Sequence, residues 1–259
     1  MPALTNNVAL ETQNLGVRFG GHAAVDGVTC VFRPGELTAI VGPNGAGKTT
    51  LFNLISGQLS ATSGRVLLDG ADITRLGPAR RARLGIGRAF QLTSLFPGLS
   101  VVENIRLAVQ AAAHVDYDMI RPWTSRRDLI QRAHDILDDT ALFHRRDSIA
   151  GSLSHGDQRK LDVALMIALK PRVFMFDEPT AGMSVDEAPV VLDLIARLKA
   201  DATRIVMLVE HKMDVVRRLA DRIIVLHNGR LVADGEPAAV IASPIVQEAY
   251  LGVAPGAAA

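Results

Sequence analysis

The sequence predicts an α/β protein built on a parallel sheet, and three observations carry that prediction. A glycine-rich segment, Gly42-Pro43-Asn44-Gly45-Ala46-Gly47-Lys48-Thr49, stands between an apolar run and a stretch of helical periodicity. A second apolar run, Val173–Phe176, ends in two adjacent acids, Asp177 and Glu178. Around these, short apolar runs alternate with segments whose apolar residues recur at helical spacing, the pattern of strands joined by crossover helices.

The elements follow in order. Residues 8–32 carry apolar segments broken by Gly16, Gly20-Gly21 and Gly27, which predicts a small antiparallel sheet at the N-terminus. Arg33-Pro34-Gly35 is a turn into a buried strand, Glu36–Val41. Beyond the glycine-rich segment, Leu51, Leu54 and Ile55 mark a helix that Gly57 stops. Arg65–Leu68 is a strand closed by Asp69-Gly70, and the basic stretch Arg75–Arg83 reads as a solvated helix face. Ile86–Phe90 is a short strand ending at Gln91. Leu95-Phe96-Pro97-Gly98-Leu99 is an apolar, exposed-looking loop, and its residues fit a core equally well.

Ser100 with Glu103 forms a capping box, so a helix starts at Val101 and runs to about Ala113. Residues 114–150 change character: they are rich in His, Asp and Arg, hold Trp123, and show weak helical periodicity at Leu129, Ala133, Ile136 and Leu137. This predicts a helical arm inserted into the α/β domain. His114, His134, His144 and His155 lack i,i+4 spacing to one another and read as surface residues, not metal ligands. Ser154 precedes a helix with Leu161, Ala164, Leu165 and Ala168 on one face, which must stop before Pro171.

After the acid pair, a helix has two possible starts. Ser184 with Glu187 would form a capping box, but Pro189 would then fall past the first turn; Asp186 as cap keeps Pro189 inside it and is preferred, leaving Ser184 in a loop. Arg204–Val209 is a strand ending at Glu210-His211. Asn228-Gly229 between Arg222–His227 and Arg230–Ala233 is a hairpin signal, and short helices follow Pro237.

Bulk properties narrow the function. A net charge of +1 and 4% aromatic residues supply no argument for nucleic-acid binding. The longest apolar run, Val163–Leu169, is too short to span a bilayer, and Met1–Asn7 lacks the character of a signal peptide. A single cysteine, Cys30, fits a reducing compartment.

The glycine-rich segment fits the phosphate-binding pattern G-x-x-x-x-G-K-[ST]. A glycine-rich bend lets successive backbone N–H groups converge on a phosphate, and the helix that follows favours an anion at its N-terminus. Lys48 supplies a point charge for the outer phosphates, and the Thr49 hydroxyl is a hard oxygen suited to Mg²⁺. Asp177 is placed to serve the ion and Glu178 to polarise an attacking water. Phe19 could cover an adenine face, although its spacing alone favours the core.

Further residues carry a family resemblance across about residues 8–252. Leu153-Ser154-His155-Gly156-Asp157 is similar to the signature Leu-Ser-Gly-Gly-Gln of ABC transporter ATP-binding subunits, Gln91 matches their Q-loop glutamine, and His211 matches their switch histidine. The resemblance implies a single nucleotide-binding domain over 1–252, with a core at 1–92 and 161–252, a helical arm at about 93–160, and a flexible tail at 253–259. It implies ATP and Mg²⁺ as cofactors. Gly42, Asn44, Gly45, Ala46, Gly47, Lys48, Thr49 and Thr50 would hold the nucleotide, with Phe19 stacked on adenine. Thr49, Gln91 and Asp177 would hold the metal, Glu178 would be general base, Gln91 would sense the γ-phosphate and His211 would hold it. Ser154 and Gly156 would face ATP held by a second ATPase subunit, so the working unit is a dimer.

Two departures stand out. Asp157 replaces the signature glutamine, where a carboxylate should repel phosphates unless it points away or Gln158 substitutes. Ser184 replaces the aspartate usual in Ala-Gly-Leu-Asp, here Ala181-Gly182-Met183-Ser184. With His155 they predict a weaker signature half-site and favour a heterodimer over a homodimer. Gly85–Gln91, Leu95–Ile105, Val209–Asp214 and Glu248–Gly252 look like the branched-chain amino acid uptake branch. That branch implies a bacterial importer at the cytoplasmic face of the inner membrane, with permease subunits and an extracytoplasmic binding protein. Leu95–Leu99 and the arm are the expected permease contacts. The alternatives are a lipopolysaccharide-export ATPase, a soluble ABC protein acting on DNA or ribosomes, and a small-molecule kinase. An intact signature, a second cassette or coiled coil, and phosphate transfer to an acceptor other than water would respectively mark them.

Overall fold

The computed structural model describes residues 9–89, 95–113, 126–244 and 246. They divide into two compact units, one drawn from Met1–Ile86, Arg172–Glu178 and Leu198–Ala259, the other from Gly87–Pro171 and Pro179–Arg197.

In the first unit, β1 (Leu10–Phe19) and β2 (His22–Phe32) pair antiparallel about Gly20-Gly21. The chain continues into β3 (Leu37–Val41), whose five residues are all buried, and into α1 (Lys48–Ser56), which ends at Gly57 with φ 81°. Next come β4 (Ser63–Leu68) and β5 (Ala71–Asp72), giving an antiparallel sheet of order β2-β1-β4-β5. The reading from sequence stopped at Asp69-Gly70 and did not anticipate β5. Both turn residues take positive φ, 52° and 78°, the mirror-image turn that sends a chain straight back to pair.

After α2 (Pro78–Arg83), β6 (Ile86–Ala89) carries the chain out of the unit's N-terminal part. Phe90 and Gln91 lie outside the described residues. One expectation about α2 fails. Arg81 is only 2% exposed, and its guanidinium donates to the carbonyls of Leu54 (2.6 Å), Ile55 (2.7 Å), Thr74 (2.7 Å) and Leu76 (2.8 Å). It is thus not part of a solvated face. It satisfies the Leu54 and Ile55 carbonyls at the last turn of α1, where Leu54 also accepts from the Gly57 N–H at 3.3 Å, and its burial lowers its pKa from the ordinary arginine value.

The second unit centres on three helices, α3 (Val101–Ala112), α4 (Arg127–Asp139) and α5 (His155–Leu169), which enclose Ile105, Ala133, Ile136, Leu137, Leu161 and Ala164. The weak periodicity of the arm was therefore a buried helix face. Residues 114–125, with His114 and Trp123, lie outside the described residues. At α3 the Ser100 hydroxyl accepts from the Glu103 N–H at 3.2 Å, but the Glu103 carboxylate takes Arg106 instead of closing the box. Asn104, 1% exposed, holds the preceding loop by accepting from the Phe96 N–H and donating to the Phe96 and Ser100 carbonyls.

The chain then runs through β7 (Val173–Asp177), α6 (Ala188–Lys199), β8 (Ile205–Val209), α7 (Met213–Leu219), β9 (Arg222–His227), β10 (Arg230–Gly235) and α8 (Pro237–Ile241). Strands β9 and β10 turn on Asn228-Gly229 as expected, with φ 50° and 77°. The second sheet has the order β10-β9-β3-β8-β7-β6, and β9, β3, β8 and β7 are mutually parallel. Every residue of β3, β7 and β8 is buried, as a parallel sheet covered on both faces requires. Cys30 sits in this unit's core, and burial pushes its thiol pKa up to about 12. The α/β class with both sheets and inserted helices is as the sequence predicted. Among the described residues no helix is long and apolar enough to cross a membrane.

The start of α6 departs from the preferred reading. The Ser184 hydroxyl accepts from the Glu187 N–H (3.3 Å), while the Glu187 carboxylate accepts from the Ser184 hydroxyl (3.0 Å) and N–H (3.3 Å). The Ser184–Glu187 capping turn therefore forms. Regular helix begins only at Ala188, so Pro189 still falls in the first turn of α6 and the two requirements do not conflict.

Candidate nucleotide site

The site is built where β3 runs out. Gly42 leaves the strand beside β9, and a Cβ there would stand 2.2 Å from the Leu226 carbonyl. Gly47, the residue before α1, takes φ 99° and would place a Cβ 2.5 Å from the Ala24 carbonyl. Backbone approaches this close admit glycine alone, which is why the motif needs it at these two positions. The loop from Asn44 to Thr50, together with Ala24, Glu178 and His211, lines a cleft of about 210 Å³. Ala24 has no signal in the sequence; the packing of β2 against the loop brings it there.

Lys48 is 6% exposed, and its ammonium folds back to donate to the carbonyls of Gly42 (2.7 Å) and Pro43 (2.9 Å). Burial lowers its pKa from the ordinary lysine value, and the nearby charges of Glu178 and Asp177 oppose that shift. Thr49 is exposed and Thr50 half-buried on the first turn of α1.

Asp177 ends β7, 2% exposed. Glu178 takes φ 50°, a region that side chains other than glycine rarely enter, while its N–H donates to the Val209 carbonyl at 3.0 Å. The bend turns the Glu178 carboxylate out of the sheet onto His211, Oε1 to Nε2 at 2.6 Å. For that bond to form, the imidazole must carry its proton on Nε2. Glu210, 3% exposed, accepts from the His211 N–H (2.7 Å) and the Lys212 N–H (3.3 Å), fixing the backbone that presents the histidine. In the sequence Glu210 has only its place at the strand end beside His211 to signal this role.

The remaining candidates fall elsewhere. Phe19 ends β1, 53% exposed, so the core reading from its spacing fails; it is not among the residues lining the cleft. Gln91 lies outside the described residues. Ser154 and Gly156 belong to the second unit, at the start of α5, where the Ser154 hydroxyl accepts from the Asp157 N–H at 3.2 Å. Gln158 does not replace the missing glutamine there, because its amide turns back to the Leu153 carbonyl at 3.1 Å.

A parallel strand feeding a glycine loop and a helix, with a buried lysine in the loop and a carboxylate–imidazole pair across the cleft, defines a P-loop nucleoside triphosphatase. A family profile described as ABC transporter matches residues 25–181. The chain is 36% identical over 252 residues to the high-affinity branched-chain amino acid transport ATP-binding protein BraF of Pseudomonas aeruginosa, covering 95% of this chain and 98% of that protein. It is 35% identical over 250 residues to the corresponding LivG of Escherichia coli, covering 95% and 98%. The crystal structure of an ATP-binding cassette of an ABC transporter in its ADP conformation superposes with a TM-score of 0.79 at 31% identity, covering 95% of this chain and 99% of that one. A nucleotide-free cassette gives 0.80 at 30%, covering 95% and 100%. The chain belongs to the ABC transporter family and is one of its ATP-hydrolysing subunits.

Proposed function

We propose that the chain powers a bacterial importer of branched-chain or other hydrophobic amino acids from the cytoplasmic face of the inner membrane. Two relatives support this: BraF and LivG are branched-chain amino acid transport ATP-binding proteins, matched over nearly their full lengths. In this reading it pairs with a second, different ATPase subunit, and both drive permease subunits that receive solute from an extracytoplasmic binding protein. The exposed Phe96 and the apolar groove beside it, of about 380 Å³ and lined by Leu107, Ala108, Leu165 and Met166 among others, suit a segment of the permease.

The observation that carries the mechanism is the Glu178–His211 contact at the mouth of the phosphate loop. ATP docks with its phosphates against the loop N–H groups and the N-terminus of α1. Lys48 then exchanges the Gly42 and Pro43 carbonyls for the outer phosphate oxygens. Phe19, an exposed aromatic, is free to stack on adenine. The Thr49 hydroxyl, the Asp177 carboxylate and the Gln91 amide oxygen are hard donors that would hold Mg²⁺, and Asp177 lies near enough to Lys48 to act on its charge. Bound there, Mg²⁺ would neutralise phosphate charge. Glu178 accepts the proton of the attacking water, and His211 donates Nε2–H to the γ-phosphate once nucleotide separates it from Glu178. The leaving group is ADP. Ser154 and Gly156 complete the site of the second subunit, so ATP closes the pair and hydrolysis reopens it.

Glu178→Gln in this chain should lower the ATPase rate of the assembled dimer by roughly 10²-fold or more while nucleotide affinity is kept. An unchanged rate would place the active site elsewhere. Uptake of labelled leucine by vesicles carrying the reconstituted transporter tests the solute class.

A further inference from the structure

Two carboxylates meet at the first turn of α5, the turn that presents Ser154 and Gly156. Asp157 stands in the turn itself, 9% exposed. Glu187 arrives from the capping turn before α6 and lies so close that a Cβ on Gly156 would stand 2.4 Å from both its oxygens. A helix start attracts anions because its N–H groups carry partial positive charge. Two carboxylates beside it should cancel that attraction.

One cation answers both. Lys160 Nζ lies 3.0 Å from Asp157 Oδ1 and 3.7 Å from Glu187 Oε1, with its side chain 11% exposed. The same Glu187 holds the Ser184 hydroxyl at 3.0 Å. The two positions where this chain departs from the family pattern, Asp157 and Ser184, are therefore joined through Lys160 and Glu187. Lys160 engages the Asp157 carboxylate at the i,i+3 spacing that makes such a pair possible, while the Asp157 N–H is taken by the Ser154 hydroxyl.

We propose that Lys160 is a positioning residue for the signature half of the ATP site: by holding Asp157 and Glu187 it lets a helix start bearing two carboxylates accept the phosphates of ATP carried by a second subunit. The inference rests on the dimer reading above. It turns the expected repulsion by Asp157 into a compensated charge and makes the signature competent, with Lys160 as the condition.

The test uses the full chain carrying Glu178→Gln, alone and with the ATPase subunit that co-purifies with it, and measures ATP-driven association by sedimentation velocity. Association of this reference with either partner establishes the clamp; its absence with both sinks the dimer reading and this inference together. On that background, Lys160→Met should raise the ATP concentration for half-association roughly tenfold or more. Binding of a fluorescent ATP analogue to the chain's own loop, measured on the dissociated subunit, should not move. Lys160→Arg should associate as the reference does, and Asp157→Asn added to Lys160→Met should restore part of the association, since Glu187 alone then lacks its cation. That last result separates charge from packing, because the added change removes a contact and repairs function. Association of Lys160→Met equal to the reference would overturn the proposal while leaving the clamp intact. So would a double variant that stays as weak as Lys160→Met.

Discussion

Lys48 would exchange its present partners, the Gly42 and Pro43 carbonyls, for phosphate when nucleotide binds. Its ammonium is buried among backbone carbonyls, and that burial holds its pKa below the ordinary lysine value of 10.5. A triphosphate brings several negative charges to it, so binding must raise the pKa again. The sign follows directly. Between the lowered pKa and 10.5 the free protein is partly deprotonated at Lys48 and the complex is protonated, so ATP binding takes up a proton and affinity falls as pH rises. Calorimetric titration in two alkaline buffers of different ionisation enthalpy should show that uptake, and Lys48→Met should abolish it along with most of the affinity. Equal heats in both buffers would show that the loop carries no titrating cation. This residue was legible from sequence because its motif encodes a backbone shape within eight consecutive positions, where glycine is demanded by local geometry. Glu178 was legible as an acid at a strand end, but not its φ of 50°, which depends on the Val209 carbonyl of the neighbouring strand.

Among the elements, α1 is held at both ends by different means. Its N-terminus is shaped by the glycine loop, and its C-terminus by Arg81, whose nearest partners on α1 are 26 and 27 positions away in sequence. Nothing in the run Arg80-Arg81-Ala82-Arg83 distinguishes the buried arginine from its exposed neighbours, so the sequence offered only a basic face. The distinction comes from the α1–α2 packing. Arg81→Met should destabilise the fold by about 3 kcal/mol, because four carbonyls lose a charged donor at once. Arg81→Lys should recover little of it, since an ammonium cannot match a planar fork reaching four acceptors. Urea unfolding of both variants checks this, and a loss under ~1 kcal/mol for Arg81→Met would mean that water replaces the guanidinium. The capping turn before α6 shows the opposite limit. Ser184 and Glu187 were readable as a pair and Pro189 placed regular helix after them, but the sequence did not show that the capping turn and the later helix start coexist.

At the scale of the whole molecule, the two units divide the chemistry and the coupling. The first holds the phosphate loop, the acid pair and His211; the second holds the signature turn and an apolar groove under Phe96. The groove's floor comes from α3 and α5, and α5 is the helix whose first turn carries Ser154, Gly156 and Asp157. In the proposed dimer, a partner seated there would grip the same helix that faces the second subunit's ATP, so closing the nucleotide clamp would move the partner with it. Phe96 is the side chain most suited to anchor that contact: it is 57% exposed, and Asn104 pins its backbone on both sides. Phe96→Asp should therefore remove co-purification with the permease while the far-ultraviolet circular dichroism of the chain is unchanged, since the side chain supports no core. Asn104→Ala should weaken the same contact by freeing the loop, leaving Phe96 itself in place. Retention of the permease by Phe96→Asp would move the docking surface off this groove.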